Sequence, residues 1–357
     1  MRICVLGLGA IGTTYGYAFQ KAGHQVEHWV RESKRDSAPR HLAVDVLDGR
    51  HNKKGEKRSG TYDVTLAAPG THYDFILLSI AQGKLADAIN TLRAHSISGT
   101  LILFCNSWDE PDAIAAMAHG YPYIVAFPTA GGAIVTSPSA GDAPGGDSVA
   151  SVSSANTRYD RLECVLFDHI MLERKEKADI PNYDDLITLL RSADISTETP
   201  HDMIEWIWVH MAINAGVTST AARAGNLENP TQLAIELMND SRALAQAVRT
   251  IRETVSVVAA RGVDLKLYRG ELLPYRAPAP LAGTLMKRMF AHNELTRRIM
   301  TLHNNTDDVL YACTSVYNTA KQQGLELPLF FANMEQIYRA DSSRSRRSAE
   351  PDLAPGQ

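Results

Sequence analysis

Gly7-Leu8-Gly9-Ala10-Ile11-Gly12 constrains this chain more than any other stretch of it. The hexapeptide satisfies G-x-G-x-x-G. It stands between ICVL, a short apolar run of the kind that forms a buried parallel strand, and a helix-compatible stretch from Thr13 to Lys21 that Gly23 stops. A second strand-like run follows at Val26–Val30. Alone, the pattern is only a tight turn. In the order strand, turn, helix, strand the three glycines acquire separate jobs. Gly7 permits the turn, Gly9 lets the backbone approach a pyrophosphate, and Gly12 lets the helix lie on the strand. The first-turn amides and the helix dipole then face an anion. Gly7, Leu8, Gly9, Ala10, Ile11 and Gly12 are therefore candidate contacts to a dinucleotide cofactor.

The end of the second strand should select that cofactor. An acidic residue there would hold a ribose 2′-hydroxyl. This chain offers Trp29-Val30-Arg31, followed by Glu32, Ser33, Lys34 and Arg35. Arg31 can stack on adenine and pair with a 2′-phosphate. NADP(H) is the expected cofactor, and Glu32 is the residue that argues the other way.

The 357 residues are about two domains' worth at roughly 150 per domain. Strand-like runs at Tyr73–Ile80, Leu101–Cys105 and Tyr123–Phe127 alternate with helical stretches at 84–95 and 109–118, which indicates a parallel sheet covered on both faces. Residues 31–60 read as a solvated connection with one short strand near Leu42–Leu47, residues 129–157 as loops or short edge strands, and Val165–Glu173 as one more strand. Helical periodicity dominates Asp202–Ala224, Thr231–Ala260 and Glu294–Gln323. The expected fold is α/β: an N-terminal Rossmann-type parallel-sheet domain over 1–190, a C-terminal all-helical substrate and dimerisation domain over 191–340, and a disordered tail over 341–357. The long helices of 231–260 are candidate pairing surfaces for a homodimer. Hydrophobic residues make up 45% of the chain, no run reaches the ~18 residues of a membrane span, and the N-terminus has no signal-peptide pattern. With 36 basic and 40 acidic residues there is no global field for nucleic acid. Cys4, Cys105, Cys164 and Cys313 form no CxxC pair and suggest reduced thiols of a cytoplasmic protein with no metal centre.

Trp206, His210, Asn214 and Thr218 recur every fourth residue, so on a helix they share one stripe. The surrounding IEWIWVHMAINAGV is otherwise apolar. An imidazole and an amide in such a helix are either satisfied within a core or face a cleft. A carbonyl that accepts hydride becomes an alkoxide and needs a proton. His210 can supply it while Asn214 holds the same oxygen.

Together these motifs resemble the ketopantoate reductase family over about residues 1–330. The likeness runs through GLGAIG, HWVR, LILFCNS, WVHMAINAGVTSTAA and KQQGLELP. It implies a Rossmann domain followed by a helical domain, NADPH as cofactor, and reduction of a 2-keto acid. It places Arg31 at the 2′-phosphate, Asn106 near nicotinamide and substrate, and Asn214 on the substrate. Thr218 stands where the family has a second Asn. Counted back from Pro328, Asp308 falls on a family Glu at the cofactor and Thr296 on a substrate-binding Ser. Arg297, Arg298 and Asn305 are further candidate carboxylate anchors, and Tyr275 a candidate entrance residue. The sequence departs at two family lysines. His210 occupies the catalytic one; Ala81, with Gln82 and Lys84 nearby, stands at the other; and Ser107 replaces a Gly. A Lys near pKa about 10.4 and a His near about 6.5 are different acids. The expectation is a divergent reductase with a substrate other than ketopantoate. Opine dehydrogenases are similar in using His, so reduction of an imine is an alternative. A catalytically silent NADP(H)-binding sensor is another.

Overall fold

The computed structural model describes residues 1–81, 83–136, 159–224, 229–302 and 306–349, with side chains for all of these except 136, 159–160, 224, 306–309 and 340–349. The chain divides into two compact units, Met1–Ile204 with Glu294–Leu302, and Glu205–Asn293 with His303–Gln357.

The strands of the first unit are β1 (Arg2–Leu6), β2 (Gln25–Trp29), β3 (His41–Asp48), β4 (Glu56–Asp63), β5 (Thr65–Leu66) and β6 (His72–Leu78). They continue with β7 (Ser98–Leu103), β8 (Tyr123–Phe127), β9 (Ala130–Thr136), β10 (Tyr159–Leu166), β11 (His169–Leu172) and β12 (Ser196–Glu198). Its helices are α1 (Ala10–Lys21), α2 (Glu32–Arg35), α3 (Leu85–Ala94), α4 (Pro111–Ala118) and α5 (Tyr183–Ser192). One sheet has the order β12-β11-β8-β7-β6-β1-β2-β5, and a smaller one the order β4-β3-β10-β9. In the large sheet β8 through β5 are all parallel, and β11 joins β8 antiparallel. The Rossmann-type sheet expected from sequence is present.

Helix α1 explains how the two sheets stack. A Cβ at Gly12 would lie 2.7 Å from Val5 Cγ1, and one at Gly16 would lie 2.6 Å from Tyr62 Oη. Only glycine lets α1 press on β1 from one side and beneath β4 from the other. Gly12 through Phe19 are consequently all buried. On β9, Gly131 and Gly132 point to opposite faces, as successive strand residues must. A Cβ on Gly132 would meet Ala10 of α1 at 3.3 Å, and one on Gly131 would meet Ile299 at 3.0 Å.

Ile299 belongs to α11 (Glu294–Leu302), reached after α6 (Met203–Ala224), α7 (Pro230–Asn239), α8 (Ser241–Ala260), α9 (Arg269–Leu272) and α10 (Ala279–His292). Leu295, Ile299 and Leu302 make a stripe at helical spacing that packs on Leu47 and Val165 of the small sheet. Burying each such side chain is worth about 1.5–3 kcal/mol. Arg298 adds an ion pair to Glu163 at 2.7 Å. This segment thus packs with the first unit, not with the helical one.

The second unit is helical and is completed by α12 (Thr306–Gln322) and α13 (Pro328–Ala349). The helical periodicity over 231–260 is carried by two helices, α7 and α8. Asp240 leaves helical geometry and its carboxylate accepts the Arg242 N–H at 2.7 Å, capping α8. The apolar face of α8 is not offered to a second chain. Leu244, Val248, Ile251, Val255 and Val258 are buried within the unit. The large apolar side chains left exposed here include Leu273 and, four apart on α10, Leu281, Leu285 and Met289. Tyr275 does not stand apart at an entrance either; its ring packs beside Ala245, Val248, Ala279 and Ala282. The tail expected to be disordered from 341 is helical to Ala349, two residues short of Pro351, where a helix normally ends. Residues 350–357 lie outside the described residues.

Helices α6 and α8 cross closely at Gly216. A Cβ there would sit 2.8 Å from both the N and the Cα of Ile251, backbone atoms that cannot turn aside. Gly216→Ala is expected to destabilise the protein by about 2 kcal/mol or more. A urea titration showing an unchanged midpoint would refute this.

Candidate functional site

The parallel sheet creates a crevice by its connectivity. The chain leaves β1 toward β2 on one side and later returns to β6 on the other, so the order reverses at β1 and β6. Ligands of open α/β sheets bind beyond the carboxyl ends of strands at such a reversal. The glycine-rich turn stands there. Gly7 has φ +84°, a conformation that only glycine adopts readily, and its N–H donates to the Trp29 carbonyl at 2.7 Å. Gly9 precedes α1 as its N-cap, with no side chain capping the helix and no acidic residue in the first turn. The bare amide end suits an anion. Gly7 and Gly12 are demanded by the protein itself. Gly9 is not, because a Cβ there would meet only the Ser79 carbonyl at an ordinary 3.8 Å. Its missing side chain leaves room in front of the helix, and the six residues Gly7–Gly12 fit a dinucleotide phosphate.

Arg31 is exposed, two residues past Trp29 and immediately before α2. Its neighbour Arg35 is committed elsewhere: the guanidinium lies over the Trp29 ring and donates to the Ala67 carbonyl at 3.1 Å. Asn106 follows β7 on the same sheet edge. Its Oδ1 is buried and has no hydrogen-bond partner. Such an oxygen costs about 1–3 kcal/mol unless a donor reaches it. Ser107 is buried and its hydroxyl donates to Asp109 at 2.7 Å, which fixes the loop. Burial pushes the Cys105 thiol up to about 12, so it is no nucleophile. Lys84 is exposed at the start of α3, and Gln82 lies outside the described residues.

On α6, His210, Asn214 and Thr218 are among the half-buried positions of a helix that is otherwise largely buried. His210 is stacked flat on Trp206, with ring centroids 5.2 Å apart and planes at 9°. Trp206 is itself anchored through Nε1 to Glu271 at 2.9 Å. Of the stripe read from the sequence, Trp206 is buried and His210, Asn214 and Thr218 are half-buried.

Thr296 sits on α11. The small sheet stands between that helix and α1, so Thr296 is not brought to the glycine turn within the first unit. Asn305 and the side chain of Asp308 lie outside the described residues. Two surface depressions of about 770 and 530 Å³ lie elsewhere. The larger, beside His72, Asp74 and Thr100, is at the amino ends of β6 and β7, the edge opposite the glycine turn. Among the described residues no cluster of His, Cys, Asp and Glu could hold a metal, and no helix is long and apolar enough to cross a membrane.

What sequence reading missed is beneath the turn. His28, fully buried on β2, places Nδ1 2.7 Å from the Gly7 carbonyl oxygen and Nε2 2.6 Å from Tyr62 Oη. Its signal was present: Val26, His28 and Val30 alternate, so a histidine occupies an inward strand position and must find partners there.

Residues 3–139 match the family model described as Ketopantoate reductase PanE/ApbA. That segment is similar to the ketopantoate reductase family. The match ends at residue 139, before the helical unit begins. Among curated proteins none matches the sequence. Solved structures share the fold at low identity. A dimeric ketopantoate reductase from Staphylococcus aureus aligns at 12% identity and TM-score 0.57, over 95% of this chain and 98% of that one. D-mandelate dehydrogenase with NADH and anilino(oxo)acetate aligns at 13% and 0.59, over 96% and 99%. Yersinopine dehydrogenase with NADP+ aligns at 11% and 0.64, over 99% and 94%.

Proposed function

We propose that this protein is an NADP(H)-dependent oxidoreductase that reduces the carbonyl of a small 2-keto acid or a related substrate. The carrying observation is the uncapped, acid-free start of α1 behind a turn whose middle glycine nothing in the protein requires. Gly7–Gly12 hold the diphosphate, Arg31 the 2′-phosphate, and Asn106 offers its unpartnered oxygen to the nicotinamide end. When bound, the dinucleotide supplies hydride to the carbonyl carbon. His210 delivers a proton to the carbonyl oxygen, Asn214 hydrogen-bonds that oxygen, and Thr218 contacts the substrate further along the stripe. Trp206 holds the imidazole in its plane. Thr296 and Asp308 are assigned no step.

Histidine in place of the family lysine favours a substrate other than ketopantoate and supports a second reading, reduction of an imine formed from a keto acid and an amine. Turnover that requires an added amine selects the second reading; turnover of the keto acid alone selects the first. NADPH that binds yet is never oxidised by any keto acid, with or without amines, would reject both. Arg31→Ala is expected to weaken NADPH about tenfold, the worth of one charge-assisted hydrogen bond, and to leave NADH within about twofold. Equal losses for both would refute the 2′-phosphate role. The reading includes a homodimer, with the α10 stripe as the apolar surface at hand, and a cytoplasmic setting that suits four free, buried cysteines.

A further inference from the structure

The Gly7–Leu8 peptide is held at its carbonyl by a side chain. His28 bonds the Gly7 oxygen at 2.7 Å. A carbonyl only accepts, so Nδ1 carries the hydrogen. Burial holds the His28 imidazolium pKa down to about 4, so the ring is neutral near pH 7 and Nε2 accepts the Tyr62 hydroxyl hydrogen at 2.6 Å. One tautomer and one ring orientation follow. Among the described residues there is no cis peptide, and in a trans peptide the C=O and the N–H point opposite ways. A carbonyl pinned inward to His28 therefore turns the Leu8 N–H outward, toward the crevice side of the turn. Trp29 fixes the other end of Gly7 by accepting its N–H at 2.7 Å.

We propose that His28 is a positioning residue for diphosphate binding: it aims the Leu8 N–H at the ligand, and Tyr62 of the small sheet holds it in the required tautomer. The small sheet thereby sets the affinity of a site to which it contributes no ligand contact. This rests on the dinucleotide reading above.

Two near-isosteric variants separate positioning from packing. Asn at position 28 keeps an amide N–H where Nδ1 stands and abandons Tyr62. Gln reaches toward Tyr62 and abandons Gly7. In calorimetric titrations with NADP+, His28→Asn is expected to keep the Kd within about threefold of wild type, whereas His28→Gln raises it about tenfold, the loss of one well-placed hydrogen bond. Unfolding midpoints measured alongside show whether each variant is folded at the titration temperature. Equal losses in two folded variants, or none in either, overturn the proposal while leaving the dinucleotide reading intact. Wild-type protein that binds neither NADP+ nor ADP overturns both. If both variants unfold, Tyr62→Phe carries the test: without the hydroxyl on Nε2 the Kd for NADP+ is expected to rise about threefold or more and the Leu8 amide resonance to shift less on NADP+ addition than in wild type, whereas a Kd and a Leu8 shift equal to wild type overturn the proposal.

Discussion

His210→Ala is expected to lower kcat for carbonyl reduction by about 10²- to 10⁴-fold, the usual contribution of a positioned general acid. The Kd for NADPH should stay within about twofold, because the glycine turn and Arg31 belong to the first unit and His210 to the second. A split of this kind distinguishes loss of a proton donor from loss of the fold, which would reduce both. Unchanged turnover of every keto acid tested would remove His210 from the chemistry.

The second large effect is on stability in acid. His28 has its pKa lowered from 6.5 to about 4 in the folded protein by burial. Between those values the unfolded chain binds a proton that the folded chain does not. Stability therefore rises with pH across that window, is fully present above about 6.5, and is lost as pH falls toward about 4. The loss amounts to at most about 3 kcal/mol, from roughly 1.36 kcal/mol per pH unit. Urea titrations at pH 7 and pH 4.5 should show it, and His28→Asn should remove it from the difference between the two conditions. A variant with the same acid loss as wild type would mean that other groups are responsible.

The parts of the fold legible in the sequence are those whose burial is uniform. ICVL, the run ending at Leu78 and Tyr123–Phe127 are strands covered on both faces, so they read as apolar runs between turns. Strand β4 was illegible because EKRSGTYD buries only Tyr62; it pairs with β3 through its backbone, and its side chains advertise a solvated loop. Val165–Glu173 looked like one strand because both halves are apolar, yet β10 and β11 belong to different sheets and Phe167-Asp168 make the passage between them. The docking of α11 on the small sheet depends on Leu47 and Val165, far away in sequence, and no local pattern could reveal it. At the site, the glycine turn and the α6 stripe could be read from spacing, whereas Asn106 was reached only through the family resemblance. His28 escaped notice because its role depends on a carbonyl twenty-one residues earlier and a hydroxyl thirty-four residues later.

Covering α1 on two sides has a consequence for how such a protein can change. From Gly12 to Phe19 no residue has a side open to water, so substitutions there are restricted to exchanges of nearly equal volume. The segment from Arg31 to Lys34 is exposed and can vary at little cost in stability. On the proposed reading, any attempt to redirect cofactor preference in the laboratory is thereby channelled to that short exposed stretch, while α1 stays fixed.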